Sequence, residues 1–358
     1  MTSTLEGSVL AMWLYDVCEE IRLEELRQLL AAQRPWPVFK HPAAEQVKVE
    51  RPPVLEGLAP LVLDGGDRVQ AQVKYYDYGV ISVLFQLPFR GDWPDLIRLS
   101  SNWISGTELE RHAARIVREK LERAASVLLK PYKQWLSEDY FIFLLTSASG
   151  NPSAATLLTE QAGAITQVIR GETAPLSAGE RTEVLQSSIS YYPNDLAVIG
   201  WNAAVVYDTP TGAETAIQML EYANSQLLEF RHYDDYLTAE LADAYSMLDR
   251  GTGVLARWRL AQAASKLHTV TLDVTELAER VDNAIKFLSD MFSARLYRLA
   301  ASRVGVPDYK NLVNQKLNTA RNLYGFMIEQ FQQSRAFVLE LLVVIILVVE
   351  LVFLFRGK

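Results

Sequence analysis

Histidine is the side chain best suited to acid–base or metal chemistry near neutral pH, and this sequence contains His41, His112, His232 and His268. None has a second histidine four residues away or lies in an HExxH arrangement, so a zinc protease is not indicated. No phosphate-binding GxxxxGK[ST] loop or GxSxG nucleophile elbow is present, and Cys18 is the only cysteine. The sequence therefore predicts no catalytic residue, no cofactor and no metal ion.

A polar cluster interrupts the apolar stripe of a predicted long helix. It contains Arg231, His232, Asp234 and Asp235, and Asp234 falls on the stripe itself. A buried aspartate at such a position can fix the register of packed helices, or pair with Arg231 or another basic residue. We expect a register or ion-pair role for Arg231 and Asp234, with a metal or proton site as the alternative.

Three arginines share one face of a helix predicted over residues 107–129. They are Arg111, Arg115 and Arg118. Glutamates on the same helix dilute the positive charge, so a solvated surface is the first expectation. A face that binds anionic groups, either lipid headgroups or RNA phosphate, is the alternative.

The segment 336–355, AFVLELLVVIILVVELVFLF, is the most apolar part of the sequence, since seventeen of its twenty residues are Leu, Ile, Val or Phe. A helix rises about 1.5 Å per residue, so twenty residues span about 30 Å, the thickness of a bilayer's hydrocarbon core. Only three residues follow. The sequence predicts a single-pass tail anchor in the membrane with the rest of the chain facing the cytoplasm, and a buried core helix is the alternative.

Two glutamates lie inside this apolar segment. Ionisable groups are costly in lipid and tend to face protein, so Glu340 and Glu350 are predicted to lie at contacts between copies of the chain. Met327 and Phe331 continue the helical spacing upstream and are predicted to extend the contact. The sequence thus predicts a homo-oligomer, and snorkelling of both glutamates to the two membrane surfaces is the alternative.

Three segments would position these residues. Residues 1–208 alternate strand-like and helix-like stretches, with a hairpin predicted over 69–87 around Gly79. They predict an α+β domain in which helices pack on a mixed or antiparallel sheet. Residues 209–335 repeat apolar residues at spacings of three and four, which is typical of long antiparallel helices in a hairpin or coiled coil. The transmembrane helix over 336–355 would complete the chain.

Composition narrows the possible partners. The 358 residues include 43 Asp and Glu against 35 Lys and Arg, a net charge of −8. Phosphate neutralisation requires clustered positive charge, so DNA is not an expected partner. The first residues lack the basic start and long apolar run of a secretory signal, and their acidic residues are atypical of a transit peptide.

Three short segments resemble the required-for-meiotic-nuclear-division (sporulation) family. They are Leu339-Glu340 followed by aliphatic residues and Glu350, Tyr76-Asp77-Tyr78-Gly79-Val80-Ile81, and Leu227-Leu228-Glu229-Phe230. The resemblance implies an α+β domain, a helical hairpin, a C-terminal anchor, self-association and support of translation by membrane-bound ribosomes, without an established enzymatic activity. The missing transit peptide points to a bacterial relative.

Together these features predict a membrane-tethered, oligomeric scaffold or adaptor without catalytic activity, which displays its α+β domain at the cytoplasmic membrane surface. An adaptor that docks RNA or a ribosome through the face of Arg111 is one alternative. An enzyme or ligand-binding module with its site in the N-terminal domain is the other.

Overall fold

The computed structural model describes residues 4–31, 51–249, 254–283 and 291–356. The chain divides into two compact units. The first unit comprises Met1–His232 and Arg280–Tyr309, and the second comprises Tyr233–Glu279 and Lys310–Lys358.

The first unit is built on a sheet that has nine strands in the described part of the chain. The strands are β1 (Leu5–Ile21), β2 (Val54–Gly57), β3 (Leu61–Val62), β4 (Arg68–Tyr75), β5 (Val80–Gly91), β6 (Leu128–Ala148), β7 (Ser188–Ile189), β8 (Leu196–Ile199) and β9 (Ala203–Tyr207). Their order is β2-β4-β5-β1-β6-β9-β8-β7, with β3 paired to β4. Neighbours are antiparallel except β6 and β9, which run parallel.

The described part of the chain also contains ten α-helices. They are α1 (Leu23–Ala31), α2 (Trp93–Ser105), α3 (Glu108–Ala124), α4 (Ala154–Glu160), α5 (Ala162–Arg170), α6 (Ala178–Leu185), α7 (Pro210–Asp249), α8 (Val254–Asn283), α9 (Met291–Val304) and α10 (Val306–Arg356). The helix predicted over 107–129 ends earlier than expected, because a short 3₁₀ turn at Ala125–Val127 leads directly into β6.

The central strand β1 is buried on both faces of the sheet. Its residues Val9, Ala11 and Trp13 belong to a core shared with α2, α3 and α5, and the Trp13 ring meets the Phe85 and Phe141 rings edge to face at 5.9 and 5.6 Å. The alternate residues of β1 are fully buried on the opposite face, and the hydrogen bonds described below place the first half of α7 there. Burial on both faces explains why β1 reads as a continuous apolar run.

The hairpin predicted around Gly79 is confirmed, with β4 and β5 paired from Gln70–Gln86 to Tyr75–Ile81. Gly79 has a φ of +94°, a region that side chains with a Cβ rarely adopt. An added Cβ would also lie 1.7 Å from the carbonyl oxygen of Cys18. Glycine is therefore required at this turn both by the backbone conformation and by the close approach of β1.

The second unit packs three helices around a small apolar core. Its buried members come from α7, α8 and α10, and they are Leu241, Ala244, Ala264, Leu267, Ala320, Leu323 and Met327. Lys266 on α8 pairs with Glu240 on α7 at 2.7 Å, and the His268 ring stacks on Tyr324 at 4.8 Å. The three–four spacing seen in the sequence thus corresponds to contacts within one chain.

The prediction of a membrane anchor is wrong. In the part of the chain that the structure describes, no helix has both the length and the apolar character needed to cross a bilayer. The predicted fold class is therefore wrong in its transmembrane helix, and the predicted single-pass topology and membrane location are wrong with it. The described fold is a mixed α/β structure with a large sheet and many helices. An all-round apolar sequence shows that a helix avoids water, but it does not identify what covers the helix. The side chains of Phe331, Glu340 and Glu350 lie outside the described residues.

Replacing Gly79 by alanine should destabilise the first unit by at least about 2 kcal/mol, because backbone strain and a steric clash act together. Gly163→Ala is the matched control, since an added Cβ there meets nothing within 4 Å, and its effect should stay within about 0.5 kcal/mol. Denaturant unfolding of both variants measures the difference. Equal stabilities for the two variants would contradict this account of the turn.

Candidate functional site

The first half of α7 carries a row of polar side chains on its buried face. Glu221, Ser225 and Glu229 follow one another at intervals of four residues and are 1%, 0% and 2% exposed. This spacing places them on one side of the helix. Buried polar groups require partners, and the strands beneath α7 supply them.

Glu221 and Ser225 connect α7 to one side of the sheet. The Ser82 hydroxyl on β5 donates to Glu221 Oε1 at 2.6 Å, and Lys74 on β4 forms an ion pair with the other carboxylate oxygen. The hydroxyl groups of Tyr78 and Ser225 are hydrogen-bonded at 2.7 Å. These contacts connect one stretch of α7 to both strands of the β4–β5 hairpin and to its turn.

Asp16 on β1 is as deeply buried as Glu221, at 1% exposure. Burial raises the pKa of its carboxyl group well above the usual range, and a hydrogen bond with Glu229 partly opposes that shift. Two carboxyl groups can be hydrogen-bonded only if one of them keeps its proton. His232 Nδ1 lies 2.8 Å from Asp16 Oδ2, and the Tyr132 ring stacks on the His232 ring at 4.4 Å. Asp16, Glu229 and His232 thus form a cluster in which burial favours the protonated form of Asp16.

Arg231 and Asp234 do not pair with each other. Arg231 forms an ion pair with Glu138 on β6. Within the second unit, Asp234 Oδ1 lies 2.5 Å from Lys316 Nζ on α10, and the same ammonium group donates to the Asp234 carbonyl oxygen at 3.1 Å. Both residues thus connect α7 to other elements. Sequence reasoning missed Glu138 and Lys316, which have no local signal because their positions in the chain are distant.

The three arginines predicted as an anion-binding face are exposed on α3. Arg111 lies 3.9 Å from the carboxylate of Asp64, with both side chains largely exposed, and Arg115 contacts His112 at 3.1 Å. Arg118 lies on the same face. Acidic side chains accompany these arginines, so the surface has mixed charge, and its role in binding RNA or a ribosome stays a prediction.

Met327 is fully buried in the core of the second unit. Its place in the three–four stripe therefore reflects packing within one chain, and its side chain is not available for the contact between copies that the sequence suggested. Among the described residues, no group of three or more His, Cys, Asp or Glu side chains is arranged to hold a metal ion.

A cleft with a volume of about 480 Å³ lies at the beginning of α7. We call it the aromatic cleft. Its walls are formed by Tyr191, Tyr192 and Asp195 of the β7–β8 loop, by Asp208 before α7, and by Phe292 of α9. The lining is completed by Asn194, Thr209, Gly212, Thr215 and Ser293. None of these ten residues is Lys, Arg or His. The cleft is open to solvent, whereas Asp16 is enclosed, so it is the better candidate for ligand binding.

The chain matches the family described as "Uncharacterized protein MJ0711, N-terminal domain" over residues 6–214, which is more than half of its length. The chain belongs to this family. It is also similar to the uncharacterized protein MJ0711 of Methanocaldococcus jannaschii, with 19% identity over 234 residues that cover 65% of this chain and 71% of that protein. No solved structure matches it.

These matches correct the resemblance drawn from short motifs. The supported relationship is to the MJ0711 family and an archaeal protein, and neither the meiotic-division (sporulation) family nor a bacterial relative is supported. The segment Tyr76–Ile81 forms a tight hairpin turn in which Gly79 is required by a positive φ. Such a motif reports the local backbone geometry, which unrelated proteins share.

Replacing Asp16 by asparagine should weaken the pH dependence of stability. A raised pKa means that the folded chain holds a proton that the unfolded chain releases above about pH 4. The free energy of unfolding therefore falls as the pH rises from about 4 through the folded-state pKa, and Asp16→Asn removes this contribution. Denaturant unfolding across that pH range measures the slope. The exposed Asp64→Asn variant serves as the control, and identical slopes for Asp16→Asn and the wild type would contradict the assignment.

Proposed function

We propose that this protein is a non-catalytic scaffold that assembles copies of itself through the distal part of α10. The observation that supports the proposal is a run of seven consecutive aliphatic residues, Val343 to Val349, whose side chains are 48–58% exposed. Seven residues make about two helical turns, so the apolar surface extends around the helix.

Such a surface is unusual for a chain that acts alone. Monomeric proteins rarely expose contiguous apolar patches of this kind, and patches that are exposed commonly mark interaction sites. Removing apolar area from water is worth roughly 25 cal/mol per Å², so even partial coverage of residues 343–349 provides a substantial driving force for association.

A second copy of the same segment is the partner that fits best. Symmetric association brings identical surfaces together, which requires that they carry no like charges that repel each other. Residues 343–349 contain no charged or polar side chain. Four of the seven are Val and two are Ile, so six are β-branched. Such residues pack well in paired helices. Upstream, Leu323 and Met327 of α10 are already covered within the chain, whereas residues 343–349 are exposed and accessible to a partner.

Two charges placed on this segment should dissociate the assembly. We expect the wild type to form a discrete oligomer and the double variant Ile345→Glu, Val349→Glu to be monomeric. Glutamate is a good helix former, so α10 should stay helical, but its charge prevents the apolar surfaces of two copies from packing together. The matched control is Asn318→Glu with Asn322→Glu, which adds the same charges at the same spacing on exposed positions of the same helix. It should remain oligomeric. Sedimentation velocity measures the masses.

A monomeric wild type, or an oligomer that persists unchanged in the Ile345→Glu, Val349→Glu variant, would overturn the proposal. Circular dichroism of both double variants verifies that the helices are retained.

A further inference from the structure

The aromatic cleft presents three aromatic rings that are not part of the core. Tyr191 and Tyr192 are 61% and 66% exposed. Their rings meet edge to face at 4.7 Å, and Tyr191 meets Phe292 in the same manner at 5.2 Å. Tyrosines that stabilise a fold are normally largely buried. Three rings in contact at the wall of an open cleft provide π-faces for a bound group.

The charge of the cleft is negative. Asp195 accepts from the backbone amides of Tyr191 and Tyr192 at 2.6 and 2.7 Å, so its carboxylate holds both tyrosines in position. Asp208 lies where β9 leads into α7, and its pKa is raised by burial and by the nearby charge of Asp195. A positive group entering the cleft would relieve this repulsion between the two carboxylates.

The beginning of α7 does not make this an anion site. A helix N-terminus attracts anions through its free amide groups, but Asp208 already accepts from the Thr209 amide at 2.6 Å. The Thr209 hydroxyl accepts from the Gly212 amide at 3.1 Å. The amides of Thr209 and Gly212 are thus engaged by the chain's own side chains, and a bound anion would meet the carboxylates of Asp195 and Asp208.

We propose that the aromatic cleft binds an alkylammonium group, held over the rings of Tyr191, Tyr192 and Phe292 and facing Asp195 and Asp208. Aromatic faces attract such cations through their quadrupole, and quaternary ammonium groups are recognised in this way by aromatic cages. The volume of about 480 Å³ is in the range of small-ligand pockets. The ammonium group could belong to a small free amine or to a lysine side chain of a peptide. This inference is independent of the assembly proposed for α10.

Calorimetric titration of the full chain tests the chemistry of the ligand. The probes are choline, its uncharged carbon isostere 3,3-dimethylbutan-1-ol, a short peptide containing trimethyllysine, the same peptide with unmodified lysine, and inorganic phosphate. We expect choline or the trimethyllysine peptide to bind with a Kd of about 1 mM or below, and the isostere at least tenfold more weakly. The tighter of the two cations identifies the source of the group.

Two variants assign the binding to the cleft. Tyr192→Ala should weaken cation binding roughly 3- to 30-fold through the lost ring contact. Asp208→Asn should weaken it while keeping an acceptor for the Thr209 amide, since asparagine also caps helices. Tyr245→Ala removes an exposed tyrosine from the second unit and should leave binding unchanged. Absence of cation binding, equal affinity for the isostere, preference for phosphate, or unchanged binding in both cleft variants would each overturn the proposal.

Discussion

The first unit depends on how the sheet face beneath α7 accommodates buried charge. Ions removed from water are tolerated only when a partner lies within reach, and the partners here lie on different strands. Glu221 meets Lys74 on β4 and Ser82 on β5, whereas Arg231 meets Glu138 on β6. Because Glu221 and Arg231 lie almost three helical turns apart on α7, a shift of the helix along the sheet would break both connections at once. The network thus selects one register for α7, a role that apolar contacts alone perform less specifically.

Asp16 satisfies the same constraint in a different way. Its neighbours include Glu229, which is itself acidic, so charge pairing alone cannot compensate both groups. Burial raises the pKa of Asp16 and so favours its protonated form, which carries no negative charge beside Glu229. His232, which contacts Asp16, and the Tyr132 ring stacked on His232 complete the cluster. The enclosure that makes this arrangement stable also separates it from solvent and substrates, which is why we assign the cluster to structure and look to the open cleft for binding.

Local features of this fold could be predicted from the sequence, whereas distant pairings could not. Gly79 within an aromatic segment predicts the β4–β5 turn because the backbone there needs a positive φ. The apolar stripes around Leu241 and Ala320 predict long packed helices. The partners of the buried polar residues cannot be predicted from local sequence, since Lys74 and Glu221, for example, are 147 residues apart. Sequence periodicity identified Met327 as buried but could not show that the covering side chains belong to the same chain. The apolar composition of 336–355 likewise indicated avoidance of water without identifying what covers the helix.

The aromatic cleft was missed for a related reason, because its walls come from three separate parts of the chain. Tyr191 and Tyr192 lie in a short loop, Asp208 precedes α7, and Phe292 lies in the first turn of α9. Only the fold brings them together, and the sequence of each part is unremarkable in isolation. The loop and Asp208 fall within residues 6–214, which match the MJ0711 family, but Phe292 lies beyond that segment. The family segment therefore supplies two of the rings and both carboxylates, and the third ring depends on the later part of the chain. A relative that shares only the matched segment would need another side chain in place of Phe292 to close the same aromatic wall.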